Sequence, residues 1–267
     1  MSSFASFLDM WRDLDKYLSS LTIFNIQSSF MRIFLLFLFF VLFTFGVEGY
    51  VIEEINGSTG LRIHKEIKRK VYITEDALIT ETEKEFMVQK IENGLPRIYR
   101  VIKSSKSYMD FSKMTPLFLV SLPFLDCKQR VCVVNRGAFR PTNEYKKIRG
   151  FKARKVVVES HALGKKTTLI QWYTKEWKEL VEANRLEDKF YVNFIRAIMK
   201  EKNLSEANIP LKEIQNFLKE INEKFGGVVR TQQQMPLFNT YSEVISVKKT
   251  EIPDYIYKLP EGYTKIK

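Results

Sequence analysis

The sequence predicts an α+β fold that is mainly β, an antiparallel sheet carrying a helical insertion toward its C-terminal end. Three observations support this. Apolar and charged residues alternate through much of residues 50–111, interrupted by Asn- and Gly-containing turns, as in strands with one wet face. Helical stripes are confined to residues 174–225. Strand patterning then resumes, and no internal repeat or low-complexity linker divides the chain, so one contiguous domain is expected over residues 50–267.

Ahead of that domain, "FMRIFLLFLFFVLFTFGVEGYVIEE" contains 15 residues without charge, Ile33 to Val47. A spanning helix needs about 20 apolar residues, whereas the apolar core of a signal peptide runs about 7–15. Arg32 directly after Met31 supplies a basic start. Val47 and Gly49 occupy the small-residue positions of a cut before Tyr50. Residues 31–49 therefore read as a signal peptide or a membrane anchor, and residues 1–30 as an extension ahead of the true start. The rival for residues 1–30 is an amphipathic helix, "FLDMWRDLDKYLSSL", leading into an uncleaved anchor. Both readings export the remainder to the periplasm or cell envelope, membrane-associated through residues 33–47 if the segment stays.

The first strand, "YVIEEI", is expected to end at the turn signal "NGSTG". In "LRIHKEIKRKVYI", Leu61, Ile63, Ile67, Val71 and Ile73 share one parity; Leu78, Phe86 and Val88 follow on the other, and "RIYRVIKSSKSYMDF" adds one more strand. The run "KMTPLFLVSLPFLDCKQRVCVV" is broken by Pro116 and Pro123, which excludes a regular central strand or a helix interior. It reads as a lid over one end of the core or as an apolar lip beside a ligand cavity. "YKKIRGFKARKVVVES" and "TTLIQWYTKEW" form strands joined by the hairpin "HALGKK". The first helix is expected from Thr174 as N-cap. The second starts at Pro210, carries Ile214, Phe217, Leu218 and Ile221 on one face, and stops at Gly226-Gly227.

Beyond residue 49 the chain has 40 Lys+Arg against 27 Asp+Glu, a balance of +13. Such a charge favours anionic partners. Export removes nucleic acid from consideration and leaves lipid headgroups, an anionic envelope polymer or an acidic protein face. Lys146, Lys147, Arg149, Lys152, Arg154 and Lys155 form the densest basic cluster and are the candidate anion contacts; an exposed edge strand kept soluble by lysine looks the same. The only two cysteines, Cys127 and Cys132, have a spacing that suits a bridged turn, and an oxidising compartment makes a disulfide the default. With only His64 and His161 besides, no tetrahedral metal site is expected, and no cofactor signature is present. "GKKT" lacks the earlier glycine of a phosphate loop. No catalytic residue is identified; carboxylates such as Asp110 and Glu159 gathered in one pocket would change that.

The closing phrase "IPDYIYKLPEGY", the central "YKKIRGFKARKVVVES … TTLIQWYTKEW" and the opening meander "GLRIHKEI … DALITET … GLPRIYRVIKSSKSYMDF" together resemble exported domains related to the LolA-like outer-membrane lipoprotein carriers. The resemblance covers most of residues 50–267 in order. It implies a curved antiparallel sheet forming an incomplete barrel, wrapped around or capped by helices, with an apolar hollow for acyl chains and no catalysis. The helical segment and the cysteine-bridged loop depart from true carriers, and no arginine latch for lipoprotein release has a counterpart. Lipid or lipoprotein acyl chains are thus the expected ligand, with Leu117, Phe118, Leu122, Phe124, Trp172 and Tyr173 as candidate cavity lining. The alternative is an envelope interaction or scaffold protein whose hollow is filled by Phe190, Phe194, Ile198 and Phe217.

Overall fold

The computed structural model describes residues 46–266, apart from 61–62, 116–118, 120–121, 129–130, 163–164 and 235–238. Residues 1–45, including the expected extension and nearly all of the apolar segment, lie outside the described residues. Among the described residues no helix is long and apolar enough to cross a membrane.

The first half is a meander: β1 (Val47–Gly60), β2 (Ile63–Ile73), β3 (Ala77–Glu81), β4 (Glu85–Glu92), β5 (Leu95–Ile102) and β6 (Ser107–Asp110). A small hairpin follows, β7 (Leu125–Lys128) and β8 (Val131–Val134), closed by the Cys127–Cys132 disulfide between directly opposed residues. Three longer strands come next, β9 (Phe139–Ile148), β10 (Phe151–Ala162) and β11 (Lys165–Thr174), then helices α1 (Lys178–Glu201) and α2 (Leu211–Phe225). The chain ends with β12 (Gly227–Gln234), β13 (Asn239–Ile252) and β14 (Thr264–Ile266).

Twelve of these strands make one curved sheet in the order β14-β6-β5-β4-β3-β2-β1-β13-β12-β11-β10-β9. All pairings are antiparallel except β14 with β6. The strand order runs from β14 to β9 without closing, so this is the incomplete barrel the sequence predicts. Register shifts at Glu53/Glu54, Arg154/Val156 and Trp172/Tyr173 are bulges, which bend strands and raise their twist.

Both helices pack on one face, here the inner face. The apolar side of α1 buries Leu180, Ala183, Phe190, Phe194, Ile195 and Ile198 against Ile52, Val71, Ile73, Leu78, Val229 and Val244 of the sheet. Leu119, Leu122, Phe124 and Leu125 join the same cluster, so the described part of the proline-broken run plugs the core. On the opposite face Ala77, Ile79 and Val88 are covered by Ile256 and Tyr257 of the C-terminal strap.

Several local expectations change. β1 continues through "NGSTG", because it pairs on both sides, with β13 and with β2; Gly57 lies against the Tyr241 ring where a Cβ has no room. Two-sided pairing overrides the turn signal. Residues 95–110 make two strands, and the basic stretch is a hairpin turned at Arg149 and Gly150, both at positive φ. Helix α1 begins at Lys178 because Thr174 still belongs to β11, where it pairs with Gly227. Gly226 ends α2 at φ +87° and ψ −147°, with the Thr174 carbonyl where a Cβ would stand.

Gly226→Ala is therefore expected to lower stability by at least about 1–3 kcal/mol from its backbone conformation alone, read as a reduced urea midpoint at unchanged m-value.

Candidate functional site

The helices do not fill the inner face completely. Between the sheet and the first half of α1 lies a cavity of about 560 Å³. Strand periodicity builds it: Ile52 and Glu54, Arg69 and Val71, Leu78 and Thr80, Gln171, Val229 and Thr231, Ser242 and Val244 all line it in steps of two. Ile52, Val71, Leu78, Leu122, Leu180, Val229 and Val244 make its apolar part. Glu54, Arg69, Gln89, Gln171, Glu187, Tyr191 and Arg230 make its polar part. A second hollow of about 400 Å³ shares Arg69, Thr231 and Ser242 with it and also takes in Asn56 and Ser58.

The charges are tied down. Arg69 donates from both Nε (2.8 Å) and Nη2 to Oε2 of Glu54, which also accepts from Ser242 Oγ at 3.0 Å. Arg230 Nη1 reaches Glu243 at 2.9 Å. Glu187 accepts from Tyr191 Oη at 2.8 Å and from Asn184 Nδ2 at 3.1 Å, while Asn184 Oδ1 accepts the Val228 backbone N–H at 2.7 Å. One residue further round the helix, Asp188 faces α2 and accepts from its Asn222, beside a groove of about 670 Å³ between the helices.

These two carboxyls are shifted upward. Burial pushes Glu187 up; the Tyr191 hydrogen bond opposes the shift and the Glu54 charge adds to it. Burial and then the charge of Glu187 push Asp188 well up. Burial and Glu187 likewise raise Tyr191 well above the usual phenol value. Asp110 moves the other way, to about 2, because hydrogen bonds from Ser112 and Lys265 outweigh its burial. Asp110 and Glu159 do not share a pocket: the first pairs with Lys265 and the second with Arg140.

Of the predicted lining residues, Leu122 borders the cavity, and Leu117 and Phe118 lie outside the described residues. Phe124 packs against Phe217, Tyr173 against Phe225, and Trp172 is buried in the main cluster; these three belong to the packed core rather than to the cavity wall. The basic residues fall on β9, β10 and their turn, at the end of the sheet. Arg149 bonds Glu243 at 2.8 Å, Lys155 bonds Glu144 at 2.7 Å and Arg154 donates to the Thr142 carbonyl at 2.7 Å. Lys146 lies over Trp172 and Lys152 over Tyr145, while Lys147 is exposed.

The polar lining escaped sequence reasoning, although one signal was present. Leu180, Ala183, Glu187, Phe190, Phe194 and Ile198 follow a three-and-four spacing, so Glu187 is an acid on the buried side of an otherwise apolar stripe.

No protein-family model matches the sequence. Among solved structures the chain is similar to PNGF-II, at 15% identity and a TM-score of 0.37 over 82% of this chain and 31% of that one. It therefore spans about a third of PNGF-II's length. A DUF1329 family protein from Desulfovibrio piger matches at 8% identity and a TM-score of 0.35, over 79% of this chain and 89% of that one. A LolA superfamily protein from Nitrosomonas europaea matches at 7% identity and a TM-score of 0.30, over 80% and 92%.

The raised carboxyls set a pH dependence. Each keeps its proton more tightly folded than unfolded, so the stability it contributes is complete below the ordinary carboxylate range and is lost as pH rises through the folded pKa. Asp188→Asn is expected to flatten the fall of the thermal midpoint as pH rises above the ordinary carboxylate range, relative to the parent, with little change at the acid end.

Proposed function

We propose that this chain is an exported, non-catalytic binding domain of the bacterial cell envelope that shelters an acyl chain of a lipid or lipoprotein between its sheet and α1. The cavity carries the proposal. Its roughly 560 Å³ falls within the range of about 300–1,000 Å³ typical of single-ligand pockets. That is room for one chain rather than a multi-chain anchor. Its apolar part would hold methylenes at about 0.8 kcal/mol each. Glu54 supports binding rather than catalysis, since three donors converge on one of its oxygens.

The Cys127–Cys132 disulfide and the uncharged run Ile33 to Val47 support export. A retained anchor accounts for more than a cut before Tyr50 does. Val47, Glu48 and Gly49 pair with Ile252, Glu251 and Thr250 of β13, and the cut would strip three residues from the sheet. On this reading the exposed part of the β9–β10 cluster, Lys146, Lys147 and Lys152, meets an anionic envelope surface.

One observation favours a second reading, an interaction or scaffold protein with a self-filled core: Phe190, Phe194 and Ile198 are fully buried and Phe217 nearly so. The two readings part on whether the remaining cavity takes a ligand. Thr80 lines that cavity and is only half-buried, so Thr80→Trp should fill it without unfolding the sheet. The expected result is lipid-sized adducts on the parent protein in native mass spectra and an affinity for a fluorescent fatty-acid probe about 10-fold weaker or more in the variant. Equal, weak binding by both proteins would favour the scaffold. Intact mass of the protein from its own envelope fraction is expected to include residues ahead of Val47; a mass starting at Tyr50 would overturn the retained anchor.

A further inference from the structure

We infer that the second hollow seats a phosphate-bearing head of the amphiphile whose chain lies in the cavity; this rests on the cavity being an acyl-chain site. The first reason is register. β1 turns Ile52, Glu54, Asn56 and Ser58 to the inner face, and β2 sets Val71, Arg69, Ile67 and Lys65 opposite them in the same order. β13 and β12 repeat the gradient, from Val244 and Val229 through Ser242 and Thr231 to Thr240 and Gln233. The inner face thus passes from apolar to polar over six residues of β1, about 20 Å. Four residues of α1, Leu180, Asn184, Glu187 and Tyr191, line the cavity. No described residue of either helix lines the second hollow, so its polar end stands clear of them. An amphiphile laid along the strands has its chain beneath α1 and its head beyond the helix.

The second reason is chemistry. Lys65, Ser58, Thr240 and Gln233 stand side by side in one row across β2, β1, β13 and β12. Neighbouring strands lie about 4.8 Å apart, so the row spans about 14 Å. The hollow's lining contains two cations, Lys65 and Arg69, and no carboxylate. Arg69 is held by Glu54, whereas Lys65 has no ion pair among the described residues. The adjoining wall adds positive charge, because Arg149 and Arg230 share the single carboxylate of Glu243. A phosphate has three acceptor oxygens, enough for the Lys65 ammonium and the Ser58 and Thr240 hydroxyls together, and such charge-assisted bonds are the strong ones. A carboxylate has two, and fills less of a hollow of about 400 Å³.

The test uses the full-length, delipidated chain. Monopalmitoylglycerol and its phosphate ester each compete against a fluorescent fatty-acid probe, and glycerol phosphate without a tail is titrated by calorimetry. The phosphate ester is expected to bind about 10-fold tighter than monopalmitoylglycerol, the worth of one charge-assisted hydrogen bond. Glycerol phosphate is expected to show no binding at concentrations that saturate the ester. Lys65→Gln should bring the ester down to the level of monopalmitoylglycerol; Lys65 is exposed, so its replacement does not threaten the fold. Lys68→Gln, the same change on the opposite face of β2, should keep the preference. Equal binding of the two lipids, or a preference that survives Lys65→Gln, overturns the inference and leaves the acyl-chain reading standing. Glycerol phosphate that binds as tightly as the ester marks a free-phosphate site and overturns it as well. Failure of both lipids to displace the probe removes the inference and the acyl-chain reading together.

Discussion

Everything in this fold depends on α1 lying across the inner face of an open sheet. A twelve-stranded sheet that does not close has a large apolar face and must cover it. The 24 residues of α1 do most of that work, reaching from β12 to β5. Phe190, Phe194, Ile195 and Ile198 sit fully buried along its second half. Truncating one such aromatic costs about 3–5 kcal/mol, a large part of the stability of a domain this size. Helix α2 then closes the flank through Phe217 and Phe225, which meet rings from the proline-broken run and from β9 and β11.

The first half of α1 is different in character. Leu180 and Ala183 still pack, but Asn184, Glu187 and Tyr191 turn toward the sheet where Glu54, Arg69 and Gln171 stand. Polar groups facing polar groups do not interdigitate like phenyl rings, and the space between them stays open. The cavity is thus a consequence of where the helix's apolar stripe gives way to Asn184 and Glu187. Its polar groups bond one another in two clusters: Asn184 and Tyr191 donate to Glu187, and Arg69 and Ser242 donate to Glu54. Networks of this kind are stable only when nearly every member is satisfied.

The basic cluster occupies a separate place. β9 is an edge strand, and lysines along an edge discourage strand pairing with other chains whatever else they do. Half of the cluster, Arg149, Arg154 and Lys155, is already bonded within the domain. None of the cluster's residues lines the cavity, so its charge and the cavity's lining are separate features of the domain.

Periodicity alone determined the mainly-β class, the two helices and the resumption of strands after Gly226. It did so because alternation and three-and-four spacing report which residues face a common side, wherever that side goes. The disulfide was equally legible, from two cysteines with four residues between them on what became facing strands. Only the tertiary structure decided that "NGSTG" is strand, since pairing on both sides of β1 outweighs a local turn preference, and that α1 starts at Lys178, since β11 claims Thr174. The same holds for the site. Residues chosen for being large and apolar, Phe124, Trp172 and Tyr173, went into the packed core because side chains of that shape fill space. The open volume arose where strands far apart in sequence bring Glu54, Arg69, Gln171 and Ser242 to one face opposite Glu187, a juxtaposition set by strand order and register rather than by any local pattern.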